Sequence, residues 1–181
     1  MFEKDGYCLR RPQAEDAENY WSNFDPFDPD VSWLTGTNVT FTKDQVLTFF
    51  HKCLTDPDRR DFLIISPHGE IVGESVINEI DWETRSANFR IAIFQHSHMN
   101  KGIGTWVVKR TRDYAFQELK LHRLSLSVYS FNPRAKHVYE KAGFRTEGIL
   151  RDAILDDGNY ADEILMAILE SEWQNLRDMN V

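Results

Sequence analysis

What this sequence has little of narrows its class before any motif is considered. Its 181 residues include two cysteines, Cys8 and Cys53, neither dense enough for a disulfide framework nor spaced like metal ligands. Reduced thiols in a cytoplasmic protein are the expectation. No apolar run approaches the ~20 residues of a membrane span. The opening stretch, MFEKDGYCLRRP, lacks the apolar core of a secretion signal. Basic residues are outnumbered, 21 Lys and Arg against 29 Asp and Glu, for a net charge of −8. That balance argues against nucleic acid as a partner, since a broad cationic face is what neutralises phosphates. It suits a cationic substrate such as an amine, although acidic surfaces often serve only solubility. There is no internal repeat, no low-complexity tract and no Gly, Ser or Pro-rich linker. With 41% apolar residues, the chain is expected to fold as one α/β domain over residues 1–181.

The patterning that is present alternates strands with helices. Residues 7–11, YCLRR, read as a short strand, and an amphipathic helix follows near 14–23. The stretch FDPFDPDVSWLTG holds two Asp-Pro steps and a Gly, which predicts a loop. Thr42 opens a second helix with Gln45 as its capping-box partner, and Val46, Phe49, Phe50 and Cys53 form its apolar stripe. Strand signals occupy 61–66, 70–80, 85–94 and 122–130, with a helix of about 16 residues starting near Gly102 between the last two. Strand, helix, strand in that order predicts a parallel pair with a right-handed crossover. In NPRAKHVYEKAGF, Asn132 suits an N-cap, Pro133 the first helical position and Gly143 the stop. Final strands near 144–151 and 160–169 are expected to pair through the DDGN turn at 156–159. The sheet is thus mixed and partly antiparallel, with helices on both faces.

Between the third and fourth strand signals lies HMNKGIGT, His98 to Thr105, with two glycines one residue apart. A Walker loop requires Lys and Ser or Thr after its last glycine, but Thr105 and Trp106 follow Gly104. A dinucleotide fingerprint requires a third glycine at 107, which is Val107. What remains is a turn whose outward amides lead into the positive end of a helix, a seat for an anion that needs no side-chain cation. The plainer alternative is a helix start whose glycines serve packing alone.

Two motifs together carry a resemblance. MNKGIGT is similar to the Gln/Arg-x-x-Gly-x-Gly/Ala loop of the GNAT superfamily of N-acetyltransferases, and NPRAKHVYEKAGF to its Asn-x-x-Ala-x-x-x-Tyr-x-x-x-Gly-Phe segment. Within that superfamily LRRPQAEDA, RSANFRIAI and EGILRDAILDDGNYADEILMAIL resemble the branch of ribosomal-protein N-terminal acetylases and spermidine N-acetyltransferases. Met99 stands where the family usually has Gln or Arg, and Asn88 where the branch usually has Glu.

The resemblance implies acetyl transfer from acetyl-CoA, with no metal, to a polyamine, a protein N-terminus or another small amine. It implies a pyrophosphate seat on Lys101, Gly102, Ile103, Gly104 and Thr105. It places the pantetheine arm along Ile91, Ala92 and Ile93 beside a splay between two strands, and gives Asn132 a hold on that arm. Tyr139, seven residues after Asn132 and on nearly the same helix face, is implied to face the sulfur as a proton donor. As plain structure, Tyr139 would anchor the helix and Asn132 would only cap it.

An amine acceptor must lose a proton, and Glu74 and Glu79 on the 70–80 strand are the candidate bases. Strand alternation puts them on opposite faces, so at most one is expected to face the site, the other being a solvent-facing acid. Asp25, Asp28 and Asp30 fall where the family forms one wall of its acceptor site, yet Asp in Asp-Pro turns ordinarily bonds locally. His96 and His98 lack a third ligand, and Trp106 and Tyr114 read as packing. No cysteine adjoins either motif, which favours direct transfer without an acyl-enzyme. An acyl-CoA sensor without turnover, or an interaction module, remains the alternative. Monomer and homo-oligomer are equally compatible with the chain.

Overall fold

The computed structural model of the chain describes residues 1–37, 39–99, 101–156 and 158–179. Its strands are β1 (Phe2–Lys4), β2 (Tyr7–Arg10), β3 (Arg60–Ile65), β4 (Ile71–Asp81), β5 (Ser86–Ile93), β6 (Arg123–Tyr129), β7 (Arg145–Asp156) and β8 (Asn159–Leu169). They form one sheet in the order β1-β2-β3-β4-β5-β6-β8-β7. Every neighbouring pair is antiparallel except β5 and β6, the two strands joined through the predicted crossover helix α4 (Ile103–Gln117).

Alternation along β3 divides the core between the two sheet faces. Leu63 and Ile65 point to one face, under Tyr20 of α1 (Ala17–Trp21) and Val46 and Phe50 of α3 (Lys43–Thr55). Phe62 and Ile64 point to the other, under Ile103, Trp106 and Val107 of α4. Further along that second face Val108 of α4, Tyr139 of α5 (Pro133–Lys141) and Trp173 of α6 (Glu170–Asp178) cover Leu124, Leu126 and Ile168. The capping signals at Thr42 and Asn132 are realised: each side chain accepts an amide hydrogen from three residues on.

The expected loop at 24–36 is corrected by the structure, which places α2 (Pro29–Thr35) inside it. Asp28 caps that helix by accepting from the amides of Asp30 and Val31, Pro29 takes the first position, and Gly36 ends it at φ 67°. An acidic Asp-Pro step is therefore a start signal here, as Asn-Pro is for α5. Gly36 is also a point of close approach, because a Cβ there would lie 2.8 Å from the Tyr129 ring. Trp33 stacks on Phe131 at 4.5 Å and Phe131 on Tyr129 at 5.2 Å, so α2 is docked over the end of β6 by aromatic contact.

Other differences are smaller. The 14–23 helix divides into a 3₁₀ turn (Ala14–Asp16) and α1. Phe49 leaves the expected α3 stripe and lies 49% exposed beneath the Arg59 guanidinium. β1 and α6 had no sequence signal, and β7 runs past the expected 151 to Asp156. The DDGN turn includes Asp157, which lies outside the described residues.

Candidate functional site

The parallel pairing of β5 and β6 is short, joining Ser86–Asn88 to Arg123–Ser125. Beyond it β5 stays with β4 as far as Ile93, and β6 stays with β8 as far as Tyr129. The two strands part, and a cleft of about 420 Å³ opens between them. Neighbouring hydrogen bonds reveal which peptide groups face it. The Arg85 carbonyl accepts from the amides of His122 and Arg123, and the Ala87 carbonyl from the Ser125 hydroxyl, so odd-numbered residues face β6. The Phe94 amide donates to the Val72 carbonyl, so even-numbered residues face β4. With a period of two, Ile91 and Ile93 present their backbone to the cleft, whereas Ala92 bonds to β4 opposite Glu74 and lines the cleft by its side chain.

The glycine loop lies at one end of this cleft. Gly102 precedes α4 at φ 75°, and no side chain caps the helix. The first intrahelical bond runs from the Trp106 amide to the Gly102 carbonyl, leaving the amides of Ile103, Gly104 and Thr105 without helical acceptors. A Cβ at Gly102 or Gly104 would meet nothing within 4 Å. Packing therefore does not require these glycines; left-handed backbone requires the first, and open approach is what the second provides. Ile103 contributes only its backbone, since its side chain is buried against Tyr7 and Leu9. Of residues 101–105 only Gly104 lines the cleft itself; Lys101, Gly102, Ile103 and Thr105 lie outside its lining. Asn100 lies outside the described residues. Met99 lines the cleft, and its sulfur accepts from Arg134 at 3.6 Å.

Among the titratable groups lining the cleft, Tyr139 and Glu74 enter it from opposite faces of the sheet. Tyr139, on the α4 side, is 7% exposed, with its ring edge-on to Phe89 and Phe144. Burial pushes its phenol up to about 12. Among the described residues no group hydrogen-bonds that hydroxyl. Asn132 also lines the cleft, its side-chain carbonyl oxygen spent on the α5 cap and its amide nitrogen still available. Glu74 enters from the α1 side, where one carboxylate oxygen accepts from the Tyr20 hydroxyl at 2.7 Å. Burial raises its pKa above the usual carboxylate value and Asp61 adds to this, against the Tyr20 bond and the charges of Arg90 and Arg59.

Glu79 does not join them, which corrects the expectation that either carboxylate of the strand could serve. It is exposed at φ 54° in the irregularity between Asn78 and Asp81, next to the zipped end of β5 and β6 rather than the open one. Asp25, Asp28 and Asp30 do not line the cleft either; Asp28 is occupied as a cap. The wall on that side is instead Val31, Leu34 and Thr35 of α2, residues the loop expectation concealed. Among the described residues no three His, Cys, Asp or Glu side chains gather into a metal site. No described helix is long and apolar enough to cross a membrane.

Comparison with known proteins identifies relatives of the whole fold. The family described as the acetyltransferase (GNAT) domain matches residues 7–145. The spermidine N(1)-acetyltransferase of Vibrio cholerae is 34% identical over 132 residues, covering 73% of this chain and 76% of that protein. A putative ribosomal N-acetyltransferase of Bacillus subtilis is 29% identical over 106 residues, covering 59% of this chain and 57% of the other. The crystal structure of the Vibrio cholerae spermidine N-acetyltransferase with CoA and spermine superposes with a TM-score of 0.84 at 28% identity, over 95% of this chain and all of that one (100%).

Proposed function

The chain belongs to the acetyltransferase (GNAT) family, and on that premise we propose that it carries acetyl from acetyl-CoA to a polyamine of the spermidine type. The observation that bears most weight is the cleft itself, with an uncapped helix N-terminus at one end and Tyr139 and Glu74 approaching from opposite faces. Acetyl-CoA supplies an acyl group already activated as a thioester. The amides of Ile103, Gly104 and Thr105 hold its pyrophosphate, with Gly102 shaping the turn and Lys101 at its edge. The outward backbone of Ile91 and Ile93 pairs with the pantetheine arm, and the Asn132 amide nitrogen steadies it.

An alkyl ammonium with a pKa near ~10.4 is almost wholly charged at neutral pH, so the acceptor arrives with one proton too many. Glu74, a carboxylate made more basic by burial, takes that proton. Tyr139, neutral throughout the working range, gives one to the departing sulfur and is restored by the second proton that the nitrogen sheds as it becomes an amide. No cysteine is among the cleft's lining residues, which supports direct attack within a ternary complex. The polyamine assignment draws on the similarity to the Vibrio cholerae enzyme seen with spermine. Two free cysteines fit a cytoplasmic setting.

Acetyl-CoA consumption measured with spermidine, spermine, peptide N-termini and aminoglycosides tests this reading. The highest kcat/KM is expected with spermidine or spermine. Preference for a peptide would replace the acceptor, and consumption with none would remove the activity. The anion seat has its own test in Gly104→Val, where the backbone is helical and the added side chain meets open space. CoA affinity is expected to fall at least about tenfold, about 1.4 kcal/mol, with an unchanged melting temperature. Unchanged affinity by calorimetry would move the pyrophosphate elsewhere.

A further inference from the structure

Glu74 borders two spaces, not one. Behind it, away from the cleft, lies a second cavity of about 10 Å³ whose lining includes Tyr20, Cys53, Asp61, Pro12 and Phe49. That volume is about what one water requires, and a buried water also needs two to four polar partners. Glu74, Asp61 and the Tyr20 hydroxyl provide three. Asp61 is diagonal to Glu74 across the β3–β4 ladder, where Leu63 faces Glu74 and Asp61 faces Val76. It is buried at 7% exposure, and both its oxygens accept from Arg59 Nε at 2.9 Å, which fixes its orientation. Its lining also includes Pro12, half-buried, and Phe49, 49% exposed. The cavity thus places the carboxylate beside surface side chains that do not line the cleft.

We infer that Glu74 discharges its proton through this rear cavity, by way of one water oriented by Asp61, to solvent between Pro12 and Phe49. The proposal rests on Glu74 as the base. The ammonium N–H bond breaks as an O–H bond forms on Glu74; that proton then passes to the water while the water releases one of its own to solvent. Charge and atoms balance, and the carboxylate is restored while the cleft is still filled. Asp61 acts as a positioning residue. The other charged and titratable groups facing Glu74 are Tyr20 from α1, Cys53 from α3, Arg59 beside β3 and Arg90 from β5. Burial keeps the first two protonated at neutral pH, the thiol at about 11.

Cys53→Val places an apolar branch in the water's position without touching the cleft, and Asp61→Asn removes the orienting charge. Crystals of the wild-type protein are expected to show an ordered water between Glu74 and Asp61 that Cys53→Val lacks. Both variants are expected to keep their CoA affinity. Their kcat is expected to fall about tenfold, with a larger solvent deuterium isotope effect, as proton departure becomes limiting. Asp61→Asn leaves Arg59 without its ion partner and risks the fold, so Cys53→Val decides if that variant melts early. A wild-type crystal without the water, or a folded Cys53→Val with wild-type kcat and isotope effect, overturns the exit path. Glu74→Gln separates this from the underlying reading. If it alone loses turnover, Glu74 is the base and the path is wrong; if it keeps turnover, the base itself is wrong.

Discussion

Replacing Tyr139 with Phe is expected to lower kcat about 10²-fold while leaving CoA affinity and the melting temperature close to wild type. The substitution removes one oxygen and nothing else from the packing. The ring contacts to Phe89 at 6.3 Å and Phe144 at 6.1 Å survive. No partner is orphaned, because no described group hydrogen-bonds the hydroxyl. The size of the effect follows from the leaving group. A thiolate whose parent pKa is about 8.5, taking cysteine as the guide, leaves with moderate help. Loss of its acid therefore belongs at the lower end of the 10²–10⁴ range of acid–base contributions. Because burial holds the phenol at about 12, wild-type kcat should show no alkaline decline below about pH 10. Full turnover in Tyr139→Phe would reduce the residue to an aromatic anchor. A raised KM for acetyl-CoA at constant kcat would make it a binding group.

The readability of this site from sequence depended on how local its causes were. Asn132, Pro133 and Gly143 announce α5 because capping is a matter of a few adjacent residues. The crossover from β5 to β6 follows from element order alone. The splay between those strands is different in kind: nothing near Asn88 or Ser125 says that pairing stops there. Ile91, Ala92 and Ile93 could be proposed only through resemblance, and which two of the three face outward needed the ladder. α2 is hidden in the sequence because Asp-Pro signals a turn as readily as the cap and first helical position that Asp28 and Pro29 form. Alternation alone separates Glu74 from Glu79 without saying which faces the site, and the break in the strand at Glu79, φ 54°, has no local sign. The pairing of Glu74 with Tyr20, 54 positions earlier, is a long-range contact with no local trace.

Glu74→Gln carries the largest expected loss. Gln retains an acceptor for the Tyr20 hydroxyl and a similar shape, so the buried hydrogen bond and the wall of the cleft persist. Without a base only the neutral fraction of the amine reacts. For a pKa near ~10.4 that fraction is roughly one in 2,500 at pH 7, which sets the loss in kcat/KM at about 10³-fold or somewhat more. The variant should then regain about tenfold per pH unit as the amine itself deprotonates, while the wild type is already active and declines only in acid, below the raised pKa of Glu74. Stability should move the other way. A carboxyl whose folded pKa lies above its unfolded value binds more protons folded than unfolded, so its ionisation destabilises the fold as pH rises from about 4.5 through the folded value. Glu74→Gln removes that penalty. Its melting temperature is expected to exceed the wild type's at neutral pH, with no such gain below about pH 4.5. A thermal gain with undiminished turnover would leave Glu74 a buried acid without a part in the reaction. The gain together with the slope of one in pH ties its cost in stability to proton removal.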